Sequence, residues 1–424
     1  MKEELLYFIW HLQYFDKQAL STTEGHTLAV MTPGMRNKHS GPDFDQARLH
    51  LDGMEWVGSV EIHVNASEWD AHGHQHDAAY NRVVLHVVWR NDRTVCRQDG
   101  TLMPTLELQH RVDALTLQNY RRLVFEPLAQ QEIPCASHLS HVDRLTKLSM
   151  LEKTAVLRLD RKAKEIEERL KKNRGEWTTT AYQTLVKSMG FRVNSAAFEQ
   201  LSSAAPLSLI RRYHHSPDTL AALLLGQAGL MDHEDWPSAW PETYRFLQAK
   251  HQLADGALVR SQWRFFRTRP ANFPTVRVVQ LARLLVACSG DLAVLFEQLP
   301  TDQHVGIFQN SGKDLFRGVP TIGVESIYKI LINAVVPYQF AYGNFFGEQR
   351  WKDHAVSLLQ ALPPEKNQLV SKYRKYGYDL ASALDTQAVL ELHHSFCEQK
   401  RCLSCAVGAS IVKSNKLFVT SAPH

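Results

Sequence analysis

The sequence predicts an α/β N-terminal part, ordered helix, three strands, helix, strand, followed by a mostly α-helical region. Three observations carry this. Two runs of alternating apolar and polar residues flank an Asp52-Gly53 pair, which is a hairpin signal. The stretch RVVLHVVWR at 82–90 has the length and β-branched content of a buried strand. Beyond residue 143, helical spacing with opposite charges four residues apart takes over.

The elements follow in order. Residues 3–13 (EELLYFIWHLQ) carry apolar residues at helical spacing. HTLAVMTPG (26–34) reads as a strand ending at a Pro-Gly turn. In the hairpin, Phe44, Ala47, Leu49 and Leu51 precede the Asp-Gly turn, and Trp56, Val60, Ile62 and Val64 follow it. Residues 67–81 read as a loop and short helix, with Ser67 as a cap. TLMPTLELQ (101–109) reads as a further strand. Residues 143–173 form one long charged helix, and 176–400 has helical periodicity with short Pro/Gly breaks. This predicts domains at 1–125 (α/β), 126–390 (helical) and 391–424 (a Cys-rich metal-binding segment packed on the helical domain).

Composition narrows the function. The chain has 424 residues, 44% hydrophobic and 22% charged, which excludes a disordered, collagen-like or small disulfide-stapled protein. The net charge of +4 is too mild to mark a polyanion binder by itself. The 21 histidines cluster, a first sign of metal chemistry. The start, MKEELLYFIWHLQ, lacks the basic lead of a secretory signal. Residues 330–346 are interrupted by Asn333, Pro337, Gln339 and Asn344 and are not expected to span a membrane. Six cysteines are too few for a secreted scaffold, and three of them within nine residues read as metal binding in a reducing cytoplasm.

The candidate chemistry starts in the hairpin. Pro42-Asp43 opens its first strand, and Glu61-Ile62-His63 lies in the second. On a strand, Glu61 and His63 share a face. Two carboxylates and a main-chain carbonyl make an oxygen-rich site for Mg²⁺ or Mn²⁺. Such an ion lowers the pKa of bound water and clamps a phosphoryl oxygen. The alternative is ordinary turn chemistry at Pro-Asp and a solvated edge glutamate.

With these residues and this element order, the N-terminal part resembles the PD-(D/E)xK nuclease superfamily, whose fold is restriction-endonuclease-like. The resemblance implies Asp43 and Glu61 as catalytic metal ligands. His63 stands where that superfamily usually has lysine, and it is mostly neutral at pH 7. The resemblance also implies a carboxylate from the first helix, for which Glu4 is the candidate. His72, His74 and His76 follow the hairpin; they face either the phosphate or a metal, or they are a polar loop. His86 reads as a buried core histidine, and Trp69 and Tyr80 as packing.

Cys397-x4-Cys402-x2-Cys405 is the second signal, since a two-residue gap lets two thiolates meet one metal. The fourth ligand is His393, His394 or Cys135. Some helicase-associated nucleases of the same superfamily carry an iron–sulfur cluster held by one upstream and three downstream cysteines. Cys135 with Cys397, Cys402 and Cys405 is compatible with that layout; zinc is the simpler reading, and buried free thiols are the alternative.

In the helical region, Arg264, Arg267, Arg269 and Arg277 interleave with Trp263, Phe265, Phe266 and Phe273. Arg267 and Arg269 are candidate nucleic-acid contacts; the alternative is a loop whose arginines cap carbonyls. The charge run 152–174 reads as a solvated helix face, and Gly226-Gln227-Ala228-Gly229 as a tight helix crossing. Over nearly its whole length the chain also resembles an uncharacterised bacterial family common in Bacteroidetes, the domain-of-unknown-function family 2851. The segments that carry this are NKHSGPDF, GSVEIHV, AYNRVVLHVV, LLLGQAGL, RPANFPTVR, INAVVP and CEQKRCLSCAVG.

The readings that follow are a metal-dependent nuclease, an inactive nucleic-acid-binding or scaffold protein on the same fold, and a zinc hydrolase built on His72–His76.

Overall fold

The computed structural model describes residues 2–37, 40–124, 133–232, 236–266, 270–310, 315–316 and 318–414. It divides into two compact units, Met1–Met150 with Leu392–His424, and Leu151–Glu391. The boundary expected at 126 therefore lies at 150. The Cys-rich segment, expected on the helical domain, belongs instead with the α/β part. The reason is visible locally. The last described helix, Ala406–Lys413, buries Val407, Ile411 and Val412 and packs on the helix Ala114–Val124. Asn119 Nδ2 from that helix donates to the Ser414 carbonyl at 3.0 Å.

The first unit is built on a mixed six-stranded sheet: β1 (Leu28–Thr32), β2 (Met35–Arg36), β3 (Phe44–Leu51), β4 (Met54–Asn65), β5 (Val83–Arg90) and β6 (Thr105–Glu107). The order is β1-β3-β4-β5-β6, with β2 paired to β3. Pairs β1/β3 and β3/β4 are antiparallel, while β4/β5 and β5/β6 are parallel. The Asp-Gly hairpin is as expected: Asp52 and Gly53 have φ of 48° and 80°, the left-handed pair of a two-residue turn. β2 had no signal of its own in the sequence. Strand β5 is buried on both faces, as a strand flanked by parallel neighbours should be.

Three local features aim the start of β3. Its register with β4 shifts between Phe44 and Ala47, and Gln46 there has φ 58°. Such a bulge redirects neighbouring side chains. Gly34, at φ 88°, passes so close that a Cβ would lie 2.6 Å from the Asp45 carbonyl. Helix α1 (Glu3–His11) buries Leu5, Leu6, Phe8, Ile9 and Trp10 and packs on β4. This leaves the Glu3–Tyr7 edge beside the strand ends. Between β4 and β5 the chain makes a short helix α2 (Glu68–Ala71) and two 3-10 turns, His74–His76 and Ala78–Arg82. Ser67 does not cap α2: its N–H and hydroxyl both donate to Asp92, at 2.9 and 2.7 Å.

The second unit is helical. Its charge run is not merely solvated, because Arg158 and Arg161 both reach Glu391, which is 2% exposed. Gly226 marks a tight crossing, since a Cβ there would lie 2.1 Å from the Tyr244 ring. The 330–346 stretch is helical with a π-turn at Leu331–Val335, just before Pro337, which has no N–H to return to the preceding turn. Among the described residues no helix is long and apolar enough to cross a membrane.

Gly58 lies in β4 where a Cβ would fall 2.4 Å from Val84 Cγ1 and 2.6 Å from the Arg82 carbonyl. Gly58→Ala should push β5 from β4 and cost about 1–3 kcal/mol of stability in urea unfolding.

Candidate metal centre

The β3–β4 hairpin brings the two predicted carboxylates together, and the peptide backbone locks them. The Asp43 N–H donates to Glu61 Oε2 at 3.0 Å, and the Ile62 N–H donates to Asp43 Oδ2 at 3.0 Å. Asp43 is partly exposed, whereas Glu61 is 6% exposed. Among the described residues neither carboxylate pairs with an arginine or lysine. Burial first, and the Glu61 carboxylate second, push Asp43 up to about 7; the Ile62 N–H and the Tyr7 hydroxyl oppose this.

Helix α1 contributes a different residue from the one expected. Glu4 has its electrostatic neighbours at Tyr120 and Cys402, away from the carboxylates. Glu3 and Tyr7, four residues apart on one helix face, take the place instead. The Tyr7 hydroxyl is 3.3 Å from Glu3 Oε2 and also bonds Asp43, so one proton serves two carboxylates. Burial, then Asp43, raises the Tyr7 pKa, and burial raises that of Glu3. Arg36 on β2 lies over the Tyr7 ring at 4.7 Å, a fixed positive charge near this edge.

Glu61 and His63 share a face of β4, as the alternation requires. That face is covered rather than solvated, by the turn that follows α2. His74 Nε2 is 3.4 Å and His63 Nε2 3.6 Å from Glu61 Oε1. His63 Nε2 is 3.2 Å from His72 Nδ1, and its Nδ1 is 2.9 Å from His86 Nε2. One ring nitrogen from each of His63, His72 and His74 lies within 4.8 Å of the others. Tyr80 stacks on His74 at 3.7 Å, and Trp69 contacts His74 and His86 edge-on or tilted. Trp69 also packs with Val83, Val95 and Met103, the packing role read from the sequence. His76 is exposed and outside the cluster.

Burial, followed by the neighbouring imidazoles His86, His74 and His72, pushes His63 down to about 2; burial and His74 push His86 down to about 3. His63 is therefore neutral at pH 7 and cannot supply the fixed charge of the lysine it was expected to replace. A neutral imidazole is, however, the form that ligates a metal. His86, read from sequence as a core histidine, is fully buried and holds the far nitrogen of His63, the arrangement that orients a ligating histidine. The donor set is thus mixed: oxygens of Asp43 and Glu61 on one side, imidazole nitrogens and Glu61 Oε1 on the other. Such a mixed set differs from the all-oxygen set expected from the sequence. Sequence reasoning missed Glu3 and Tyr7, and it placed His86 in the core without its bond to His63. The available signals were the Glu3–Tyr7 spacing and a lone polar residue within an apolar strand.

The cysteines gather in the same unit. Cys397 sits at the end of a π-turn (His393–Cys397), and Cys402 opens a 3-10 turn before the last helix. Burial, then Cys397, Cys405 and Cys402, raises the Cys135 thiol; burial, then Cys397, Cys405 and Glu4, raises Cys402 to about 12. All four sulfurs therefore share one neighbourhood, and none is in a disulfide. His393 and His394 lie 3.5 and 3.0 Å from Glu398.

Arg267 and Arg269 lie outside the described residues. Arg264 is exposed, but Arg277 is 2% exposed and is no part of a surface patch.

Asp43 also makes a stability prediction. Its folded pKa of about 7 lies above the ordinary 3.8, so between these values the folded chain binds a proton that the unfolded chain has lost. Stability without metal then falls as pH rises through this window. Asp43→Asn, which cannot ionise, should melt higher than the wild type at pH 8 in chelator, with the gain gone at pH 4. Equal melting differences at both pH values would contradict the assignment.

Residues 3–368 match the family model described as "Protein of unknown function (DUF2851)", and the chain belongs to that family. No curated protein and no solved structure matches the chain.

Proposed function

We propose that this member of the DUF2851 family is a divalent-metal-dependent nuclease, hydrolysing phosphodiester bonds of DNA or RNA on a restriction-endonuclease-like PD-(D/E)xK core. One observation carries the reading: two backbone-locked carboxylates, one buried and one partly exposed, with no arginine or lysine paired to them among the described residues and a histidine cluster beside them. A site of this charge and burial favours a bound cation. The sheet order, an antiparallel hairpin followed by a short-helix crossover to a parallel strand, supports the core.

Asp43 and Glu61 would hold the ion, with His63 and His74 adding nitrogen donors to the Glu61 side. The ion, when bound, lowers the pKa of water and neutralises charge on a phosphoryl oxygen. Burial keeps His63 neutral, and His86 orients it. Tyr7 and Glu3 hold Asp43. His72 is the one exposed imidazole of the three, with its Nδ1 beside His63, and it takes the proton from the attacking water in place of the absent lysine. Arg36, at the edge of the site, meets the substrate phosphate.

Cleavage of labelled single- and double-stranded substrates tests this. Mn²⁺ should support more activity than Mg²⁺. Asp43→Ala and Glu61→Ala should each lose more than about 100-fold, beyond what an orienting partner of a ligand contributes. His72→Ala should lose rate while keeping Mn²⁺ affinity. Binding without cleavage from pH 6 to 9 would favour the inactive nucleic-acid-binding protein. Zinc-dependent activity that survives Asp43→Ala would favour a histidine-based zinc hydrolase.

Cys135, Cys397, Cys402 and Cys405 would hold a zinc ion, or an iron–sulfur cluster, tying the chain's C-terminal segment to the unit that contains its N-terminal strands. Reduced cysteines of this kind fit a cytoplasmic location. Elemental analysis with a visible absorption scan should find one zinc, or iron with the visible absorption of a thiolate-bound cluster. Cys402→Ser/Cys405→Ser should lose that metal and melt lower; unchanged metal content would sink the assignment.

A further inference from the structure

The helical unit contains a buried positive charge that has no carboxylate partner among the described residues. Arg277, in the helix Pro274–Ala287, is 2% exposed. Its Nη1 donates to Gln280 Oε1 at 3.0 Å, and its Nη2 to Asn272 Oδ1 at 2.5 Å and Ser326 Oγ at 2.7 Å. All three partners are neutral. Its Nε is buried and has no acceptor among the described residues. Burial alone lowers its pKa to about 10. A buried guanidinium without a counter-charge is destabilising, as any buried unpaired ion is. The same unit shows the ordinary solution at Glu391, where a buried carboxylate meets two arginines.

Arg277 lines a cavity of about 820 Å³, within the usual size range of small-molecule sites. Phe191 and Phe198 line the same space. The guanidinium lies 4.6 Å from the Phe191 ring, and Lys329 Nζ lies 5.9 Å from it. Phe191 itself has φ 48°, an uncommon conformation for an aromatic residue. At the rim, Lys366 is 3.9 Å from Glu325, so that pair is internally balanced. Lys329 is exposed, and no carboxylate is paired with it among the described residues.

We propose that this cavity is a binding site for a phosphate monoester dianion, held by the buried Arg277 and the rim Lys329. The two unbalanced positive charges match a dianion rather than a single carboxylate. The cavity is far larger than a phosphate ion, so an organic body is attached, and the Phe191 and Phe198 rings receive it. A nucleotide and the phosphorylated end of a nucleic acid present the same chemistry. This site rests on the helical unit alone and stands or falls separately from the carboxylate centre.

The test is calorimetric titration of the full chain with inorganic phosphate, a nucleoside 5′-monophosphate, and a short oligonucleotide with and without a 5′-phosphate. Monophosphate should bind more tightly than inorganic phosphate, and the unphosphorylated oligonucleotide should not bind this site. Lys329→Ala, at an exposed position, should weaken monophosphate binding roughly 10- to 100-fold, the loss of one charge-assisted contact. Arg277→Met should abolish it, with its melting temperature in the absence of ligand unchanged or raised; if Arg277→Met fails to fold, Lys329→Ala decides. Asp43→Ala should bind monophosphate like the wild type, which separates this site from the proposed nuclease centre. Tighter binding of the phosphorylated oligonucleotide than of the mononucleotide identifies the nucleic-acid end as the ligand, and the reverse identifies the nucleotide. No binding of any phosphate, or binding untouched by Lys329→Ala, overturns the proposal.

Discussion

Two carboxylates held against each other by backbone N–H groups are the constraint around which the first unit is arranged. Asp43 and Glu61 would repel if both were ionised, yet the crossed bonds from the Asp43 and Ile62 amides keep them side by side. The hairpin turn, the bulge after Phe44 and the close passage of Gly34 fix the register that makes those bonds possible. A proton relieves the repulsion in the free protein, and a cation would relieve it more completely. Placing such a pair in a fold lowers stability, which is commonly the case where a site is shaped for a ligand rather than for rigidity.

The imidazoles answer the same electrostatic problem from the other side. His63, His72, His74 and His86 are stacked or hydrogen-bonded in sequence, and burial keeps the inner ones neutral. A neutral His63 adds no positive charge that would compete with an ion for Glu61. His63 and His74 bring ring nitrogens to within reach of Glu61 Oε1, so the site differs in kind from one in which a lysine stands beside two carboxylates. The fixed charge that is missing from β4 is nearest to hand on Arg36, above the Tyr7 ring.

The second unit shows how differently buried charges can be treated in one fold. Glu391 is matched by Arg158 and Arg161, and Lys162 turns its ammonium to Asn333, Gln387 and the Ile332 carbonyl beside the π-turn. Among the described residues Arg277 has neutral acceptors alone, beside an open cavity. The contrast is what singles it out, since the folding of the unit demonstrably accommodates counter-charges elsewhere.

Much of the first unit was legible because its signals are local. Alternation around Asp52-Gly53 specifies a hairpin, and the same alternation puts Glu61 and His63 on one face. A continuous apolar run marks a strand covered on both sides, and helical periodicity marks α1 and the long helix Arg144–Lys172. Local pattern does not say which edge of α1 meets the sheet. One residue turns a helix by about 100°, and that is the difference between Glu4, near Cys402, and Glu3, near Asp43. The pairing of His86 with His63 depends on a parallel register set across a crossover. The burial of Arg277, the return of the cysteine segment to the first unit and the nearness of Cys135 to Cys397, Cys402 and Cys405 all depend on contacts between residues far apart in the chain. The sequence by itself thus determined the strands, the hairpin and the chemistry-bearing residue types, because backbone periodicity is written in nearest neighbours. Only the tertiary structure decided which of those residues meet, because packing, and not spacing, selects the faces that are buried together.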